Sequence, residues 1–171
     1  MKTLVLIGSN RKQGATATEA LAQARELDPT GQDTIVHFVH EMKVACCCGC
    51  EFCRKEPACS QKDDMAGLIQ EMLDSEAVII ASPVYFGALS GQLKTVCDRM
   101  YPVYRGGGKS LLAGKKLYLV YTQHSPCDTY ADVRKTAEDY LFRFLGFQLV
   151  QTRGGGREET GPPGGPEPKE K

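Results

Sequence analysis

The sequence predicts a three-layer α/β/α domain on a doubly wound, five-stranded parallel sheet, and three observations lead there. Short apolar runs without polar alternation, such as LVLI after Thr3 and VIIA after Ala77, suit strands buried on both faces. Between these runs apolar residues recur at helical spacing, so strand and helix alternate along the chain. The runs end on turn residues, Gly8-Ser9 and Ser82-Pro83, which puts loops at the carboxyl edge of the sheet, where such domains bind ligands.

Taken in order, residues 3–7 form the first strand. A polar turn follows, and then Ala17, Ala20, Leu21, Ala24 and Leu27 make a helical stripe closed by Pro29-Thr30-Gly31. Residues 34–39 (TIVHFV) are a second strand, β-branched and aromatic. A cysteine-rich loop occupies residues 46–62. Asp63 and Asp64 then place negative charge on the first turn of a helix, where the backbone dipole favours it. Met65, Leu68, Ile69, Met72 and Leu73 are the apolar stripe of that helix.

Residues 77–81 are the third strand, and Leu89, Leu93, Val96, Cys97 and Met100 mark the next helix. A glycine-rich loop covers residues 105–110, and residues 116–122 (KLYLVYT) are the fourth strand. Tyr130, Val133, Ala137, Tyr140, Leu141, Phe144 and Leu145 predict the longest amphipathic helix, stopped by Gly146, and residues 147–150 are the fifth strand. The folded domain is expected over residues 1–153. Ten of the last eighteen residues are Gly or Pro, a composition that cannot repay its ordering entropy, so residues 154–171 are expected as a disordered tail.

Composition narrows the function. The chain has 171 residues, enough for one core, and its 21 basic and 21 acidic side chains cancel. A neutral chain offers no electrostatic case for nucleic acid or for an anionic membrane, and neither is expected as a partner. The opening MKTLVLIGSN has too short an apolar run for a signal peptide, and no run approaches a membrane span, so a cytoplasmic location is expected. In that reducing compartment clustered thiols read as metal-binding or redox-active rather than as disulfides.

Three segments should meet at the carboxyl edge: residues 8–18, 81–90 and 122–128. The first, GSNRKQGATAT, carries Ser9, Asn10, Thr16 and Thr18 as donors and Arg11 as a cation, and it runs into a helix N-terminus. Exposed N–H groups and the helix dipole make such a turn an anion site. Gly8 and Gly14 have the wrong spacing for a dinucleotide fingerprint, and no Lys-Ser/Thr pair follows for a triphosphate loop, so a phosphate monoester fits better. The plain alternative is a strand-to-helix turn with a Ser or Thr cap. In the second segment Pro83, Tyr85 and Phe86 could stack on a flat ring, or simply cap the core. Together the two segments suit a planar cofactor ending in phosphate, of which FMN is the common metal-independent example. The third segment, from Thr122, would close the site. Its His124 and Cys127 read as a polar loop beside the ligand, and His37 and His40 as structural.

The sharpest motif lies within residues 46–59, which hold six of the eight cysteines. Cys47, Cys50, Cys53 and Cys59 follow the spacing C-x2-C-x2-C-x5-C. Such a run can supply three thiolates to a cubane cluster with little strain, and Cys59 returns as the fourth after a turn helped by Pro57. Structural zinc more often uses two separated knuckles, and free thiols are the third alternative. The triple Cys46-Cys47-Cys48 leaves the register open.

Taken together, GSNRKQGAT, the motif C-x-G-C-x-x-C-x5-C-x3-DDM from Cys47 to Met65, and SPVYFGALSGQLKTVCDR from Ser82 to Arg99 resemble the NADPH-dependent FMN reductase family of flavodoxin-like proteins, in its iron–sulfur flavoprotein branch. The resemblance covers about residues 1–153. It implies a flavodoxin-like sheet of order 2-1-3-4-5 and one FMN per subunit. The phosphate would lie on Ser9, Arg11, Gly14, Thr16 and Thr18. The flavin would lie against Pro83, Val84, Tyr85, Phe86 and Gly87, with Thr122 closing the site and no side chain serving as a nucleophile.

The same resemblance implies a [4Fe-4S] cluster on Cys47, Cys50, Cys53 and Cys59. NAD(P)H or a ferredoxin-type donor would supply electrons to a small-molecule acceptor. Two departures stand out. Ala15 occupies a position where many members have Asn, which removes one phosphate donor. The chain also runs into GGGREETGPPGGPEPKEK where members usually carry a last helix. A partner subunit is then expected to cover that face of the sheet, in a homodimer or higher homo-oligomer. Two rival functions are a cluster-free NAD(P)H-dependent FMN or quinone reductase and a non-catalytic module stabilised by zinc.

Overall fold

Strand β1 (Thr3–Ile7) is buried along its whole length because strands flank it on both sides and helices cover both its faces. The computed structural model describes residues 1–104, 106 and 109–155, with the backbone alone at residues 127 and 128. Besides β1 the parallel sheet contains β2 (Thr34–Phe38), β3 (Ala77–Tyr85), β5 (Lys116–Thr122) and β6 (Gln148–Gly155), in the order β2-β1-β3-β5-β6. Counting only these parallel strands, the order is the expected 2-1-3-4-5. The additional β4 (Ala88–Leu89) folds back antiparallel on the end of β3.

Side-chain alternation builds two apolar layers. Leu4, Leu6, Val78, Ile80, Leu117 and Leu119 point to one face, where α3 (Met65–Asp74) adds Met65, Leu68 and Met72 and α4 (Gly91–Asp98) adds Leu93 and Val96, while the one-turn α2 (Phe52–Lys55) belongs to the cysteine-rich loop. Val5, Ile7, Ile79, Ala81, Tyr118 and Val120 point to the other, against Ala17, Ala20 and Ala24 of α1 (Ala15–Leu27). Among the described residues α1 is the one helix in that second layer, and its alanines let it approach the sheet closely.

Four local expectations differ from the structure. First, β3 runs on to Tyr85 rather than stopping at residue 81. Its pairing with β1 ends at Ala81, while β5 pairs it through Pro83, so the missing N–H of Pro83 falls where no second strand needs it. Second, the long helix is broken: α5 (Ala131–Ala137) passes into a π-helical turn at Glu138–Phe142, where the Arg143 amide donates to the Glu138 carbonyl. The wider turn shifts the following side chains around the axis, so Phe142 enters the core while Tyr140 is 81% exposed and Phe144 is half-exposed. Gly146 does end this segment, at a φ of 83°.

Third, Asp63 and Asp64 precede α3 rather than forming its first turn; Asp63 accepts from the Met65 amide at the helix start, and both carboxylates also take hydrogen bonds from residues far away in sequence. Fourth, β6 extends to Gly155, where Gly154 and Gly155 pair with Tyr121 and Thr122. The rest of the expected tail, residues 156–171, lies outside the described residues, as do residues 105, 107 and 108 of the glycine-rich loop. No helix among the described residues is long and apolar enough to cross a membrane.

Candidate functional site

The first loop leaves β1 at Gly8, whose amide donates to the Ala81 carbonyl at 2.8 Å. Glycine is required here by proximity: a Cβ on Gly8 would lie 2.7 Å from Ser90 Oγ and 2.9 Å from Leu93 Cβ. The loop is thus pressed against the start of α4. Ser9 is buried and its hydroxyl accepts from the Arg11 amide, while Arg11 itself is exposed. The helix that follows has Gly14 as its N-cap residue and no side chain capping it. The Ser or Thr cap of the plain-turn alternative is therefore not what forms, and the first amides of α1 stay available to an anion.

Thr16 and Thr18 stand differently. Thr16 is buried and its hydroxyl shares a 2.6 Å hydrogen bond with that of Thr122 at the end of β5. Thr18 is exposed on α1, and its amide is already spent on the Gly14 carbonyl at 3.0 Å.

The second segment forms a tight hairpin. Tyr85 pairs with Ala88 across Phe86 and Gly87, whose φ values are 49° and 70°. Two consecutive left-handed residues are what a two-residue hairpin between twisted strands demands, and glycine meets that demand without strain while phenylalanine does not. The Phe86 ring is fully exposed and Tyr85 is 58% exposed, so neither caps the core. Pro83 and Val84, by contrast, are buried within β3. Tyr130 and Val133 pack near Gly87, with Val133 Cγ2 3.6 Å from where a Cβ would sit.

Both segments line one cleft of about 480 Å³, formed by Gly8, Ser9, Asn10, Arg11, Tyr85, Ser90, Gly91 and Gln92. Ser90 closes the 81–90 segment expected at this edge, and Gly91 and Gln92 lie just beyond it. Their signal was available, since a Ser-Gly pair before an apolar stripe marks a helix start, and Ser90 does cap α4 by accepting from the Leu93 amide at 3.4 Å. Thr122 joins this region through Thr16. His124 is exposed on the loop beyond, and the side chain of Cys127 lies outside the described residues. His37 is occupied by Glu71, 2.5 Å from its Nε2.

The cysteine loop hangs from a neck closed by three hydrogen bonds: the Lys43 amide donates to Asp64, the Ala45 amide to Asp63, and the Gln61 side-chain amide to the Cys46 carbonyl. Arg99, at the end of α4, donates to Asp63 through both terminal nitrogens at 2.8 and 2.9 Å and to the Ala45 carbonyl at 2.7 Å. This guanidinium holds the Asp63 carboxyl down at about 2. Beyond the neck, Cys47 and Cys50 are exposed and Cys53 and Cys59 partly so. A hydrogen bond from Ser60 lowers the Cys50 thiol. Burial raises the Cys53 thiol, and Cys59, Cys47 and Cys50 add to that rise by charge.

The four cysteines singled out by spacing share one loop, and four thiol donors are the set that an iron–sulfur cluster takes. No group of three ligating side chains among the described residues converges on a single-ion site. The cleft, with the Gly8–Arg11 turn leading toward the uncapped start of α1 and the exposed Tyr85 ring beside it, fits a phosphorylated flavin.

The chain is 36% identical over 115 residues to an iron–sulfur flavoprotein of Archaeoglobus fulgidus, an alignment covering 67% of this chain and 51% of that protein. It spans about half the length of the curated iron–sulfur flavoproteins it matches. An FMN-dependent NADH:quinone oxidoreductase of Paraburkholderia phymatum is 28% identical, with 86% of this chain and 82% of that protein covered. Among solved structures, the NAD(P)H:quinone oxidoreductase of Methanothermobacter marburgensis superposes with a TM-score of 0.70 at 15% identity, over 94% of this chain and 85% of that one. The model of the NADPH-dependent FMN reductase family matches residues 1–138, and the chain belongs to that family.

Proposed function

We propose that this chain is an FMN-dependent oxidoreductase carrying a [4Fe-4S] cluster, which passes electrons from NAD(P)H or a ferredoxin-type donor to a small-molecule acceptor. The observation that carries this reading is the single cleft lined by both the anion-binding loop and the exposed Tyr85 hairpin. Arg11 and the free amides at the start of α1 would receive the FMN phosphate, with Ser9, Gly14, Thr16 and Thr18 shaping the loop. Tyr85, Phe86 and Gly87 would meet the ring, while Pro83 and Val84 hold the hairpin on β3 and Thr122 braces Thr16. Cys47, Cys50, Cys53 and Cys59 would hold the cluster. When bound, FMN supplies a two-electron carrier that also releases electrons singly, and the cluster a one-electron relay.

The protein's work is binding and orientation. Arg11 offsets phosphate charge, the exposed rings offer π faces to a planar ligand, and the neck of the cysteine loop keeps its thiols together. A homodimer in the cytoplasm completes the reading.

A second reading, a cluster-free NADH:quinone reductase, is favoured by the similarity to the Paraburkholderia phymatum enzyme. Anaerobic purification followed by absorbance, iron and sulfide assay decides between them. Flavin bands with about four irons per chain support the first, and flavin without iron supports the second. A colourless protein containing zinc sinks both.

A further inference from the structure

We propose that Arg99 is the positioning residue of the cysteine loop, fixing its neck to α4. This rests on the reading of the loop as a cluster site.

Three observations carry it. The Arg99 side chain is 1% exposed, an unusual place for a guanidinium, and Asp63 is its ion-pair partner. The fork of two N–H groups onto Asp63 and the bond to the Ala45 carbonyl join the two ends of the loop to one rigid point. Its Nε is buried without a hydrogen-bond partner.

The position of that point matters. Arg99 is the C-terminal cap residue of α4, where the helix dipole favours a cation, and Ser90, Gly91 and Gln92 at the other end line the cleft. Eight residues of helix span about 12 Å. Midway, Thr95 Oγ1 lies 3.9 Å from Cys46 Sγ. One short helix thus sets the distance and orientation between the flavin cleft and the cysteine loop. A lysine could supply the charge but not the planar fork that reaches Asp63 and the Ala45 carbonyl at once.

Two variants test this after anaerobic incubation with iron, sulfide and FMN. Arg99→Met with Asp63→Leu removes both charges, so no buried ion is stranded, and Arg99→Lys keeps the charge alone. The double variant is expected to bind FMN within about twofold of wild type yet to release iron to a ferrous chelator about 10-fold faster or more. Arg99→Lys should restore only part of that retention, since it keeps the charge and loses the fork. Wild-type retention in the double variant, full retention in Arg99→Lys, or an equal loss of FMN and iron overturns the proposal.

If the wild-type protein takes up no iron, the cluster reading fails and the neck is tested by hydrogen exchange of the iron-free chain. Faster exchange at the Lys43 and Ala45 amides, with β1 unchanged, upholds the positioning role. Unchanged exchange there overturns it.

Discussion

Thr16 and Thr122, 106 residues apart in sequence, join hydroxyls at 2.6 Å in a site nearly closed to solvent. The bond ties the first turn of α1 to the end of β5, so it fixes the anion-binding loop against the sheet. Thr122→Val leaves the Thr16 hydroxyl buried without that partner and should cost about 1–2 kcal/mol in urea unfolding. Thr16→Val should cost about as much. The double replacement should cost clearly less than the sum, because no hydroxyl then remains to be stranded. Strict additivity would show that the two groups are not coupled.

Phe86 combines a φ of 49° with complete exposure, so its conformation gains nothing from burial. A left-handed phenylalanine costs on the order of 1 kcal/mol, and Asn before Gly is the favoured pair in such a hairpin. Phe86→Asn should therefore stabilise the FMN-free protein by about 1 kcal/mol in chemical denaturation. It should at the same time weaken FMN binding, read by quenching of flavin fluorescence. A variant that gains stability and keeps full affinity would remove Phe86 from the flavin site.

The strand order and both apolar layers were legible because uninterrupted runs such as Val78–Ile80 are buried on both faces, and alternation then assigns each residue its side. The cleft was legible for the same reason, since the runs end where β1 and β3 deliver their loops. What escaped has local causes. The π-helical turn at Glu138–Phe142 shifts a helical stripe by an amount that no spacing rule contains. The sequence shows a turn through Tyr85, Phe86 and Gly87, but the two-residue strand Ala88–Leu89 that makes it a hairpin is too short to leave a pattern. The place of Asp63 at the start of α3 was legible, but its second partner, Arg99, was not, because it is 36 residues away.

That partnership has a pH signature. Asp63 is held at about 2 by Arg99, below the ordinary aspartate value of about 3.9 in an unfolded chain. Its contribution is therefore complete above about pH 4 and lost as pH falls through about 2. Asp63→Asn should remove that part of the acid dependence, flattening the stability profile between about pH 4 and 2. At neutral pH it should cost about 3 kcal/mol, because Arg99 is left as a buried cation without a counter-ion. Thermal unfolding across pH checks both, and an unchanged acid slope would show that Asp63 is not the group responsible.

The thiols differ in what they face, and alkylation can separate them. Cys97 is 4% exposed and burial pushes its thiol up to about 12, so it should resist iodoacetamide at pH 8 until the chain unfolds. Cys46, Cys47, Cys48 and Cys50 are exposed and should react in the metal-free protein. After anaerobic incubation with iron and sulfide the pattern should split. Cys47, Cys50, Cys53 and Cys59 become protected, while Cys46 and Cys48 go on reacting, as peptide mass mapping would show. Treatment with an iron chelator should restore reactivity to the protected four. Protection of Cys46 or Cys48 in place of Cys47 would move the ligand register by one residue, and protection of none would leave the loop as a set of free thiols.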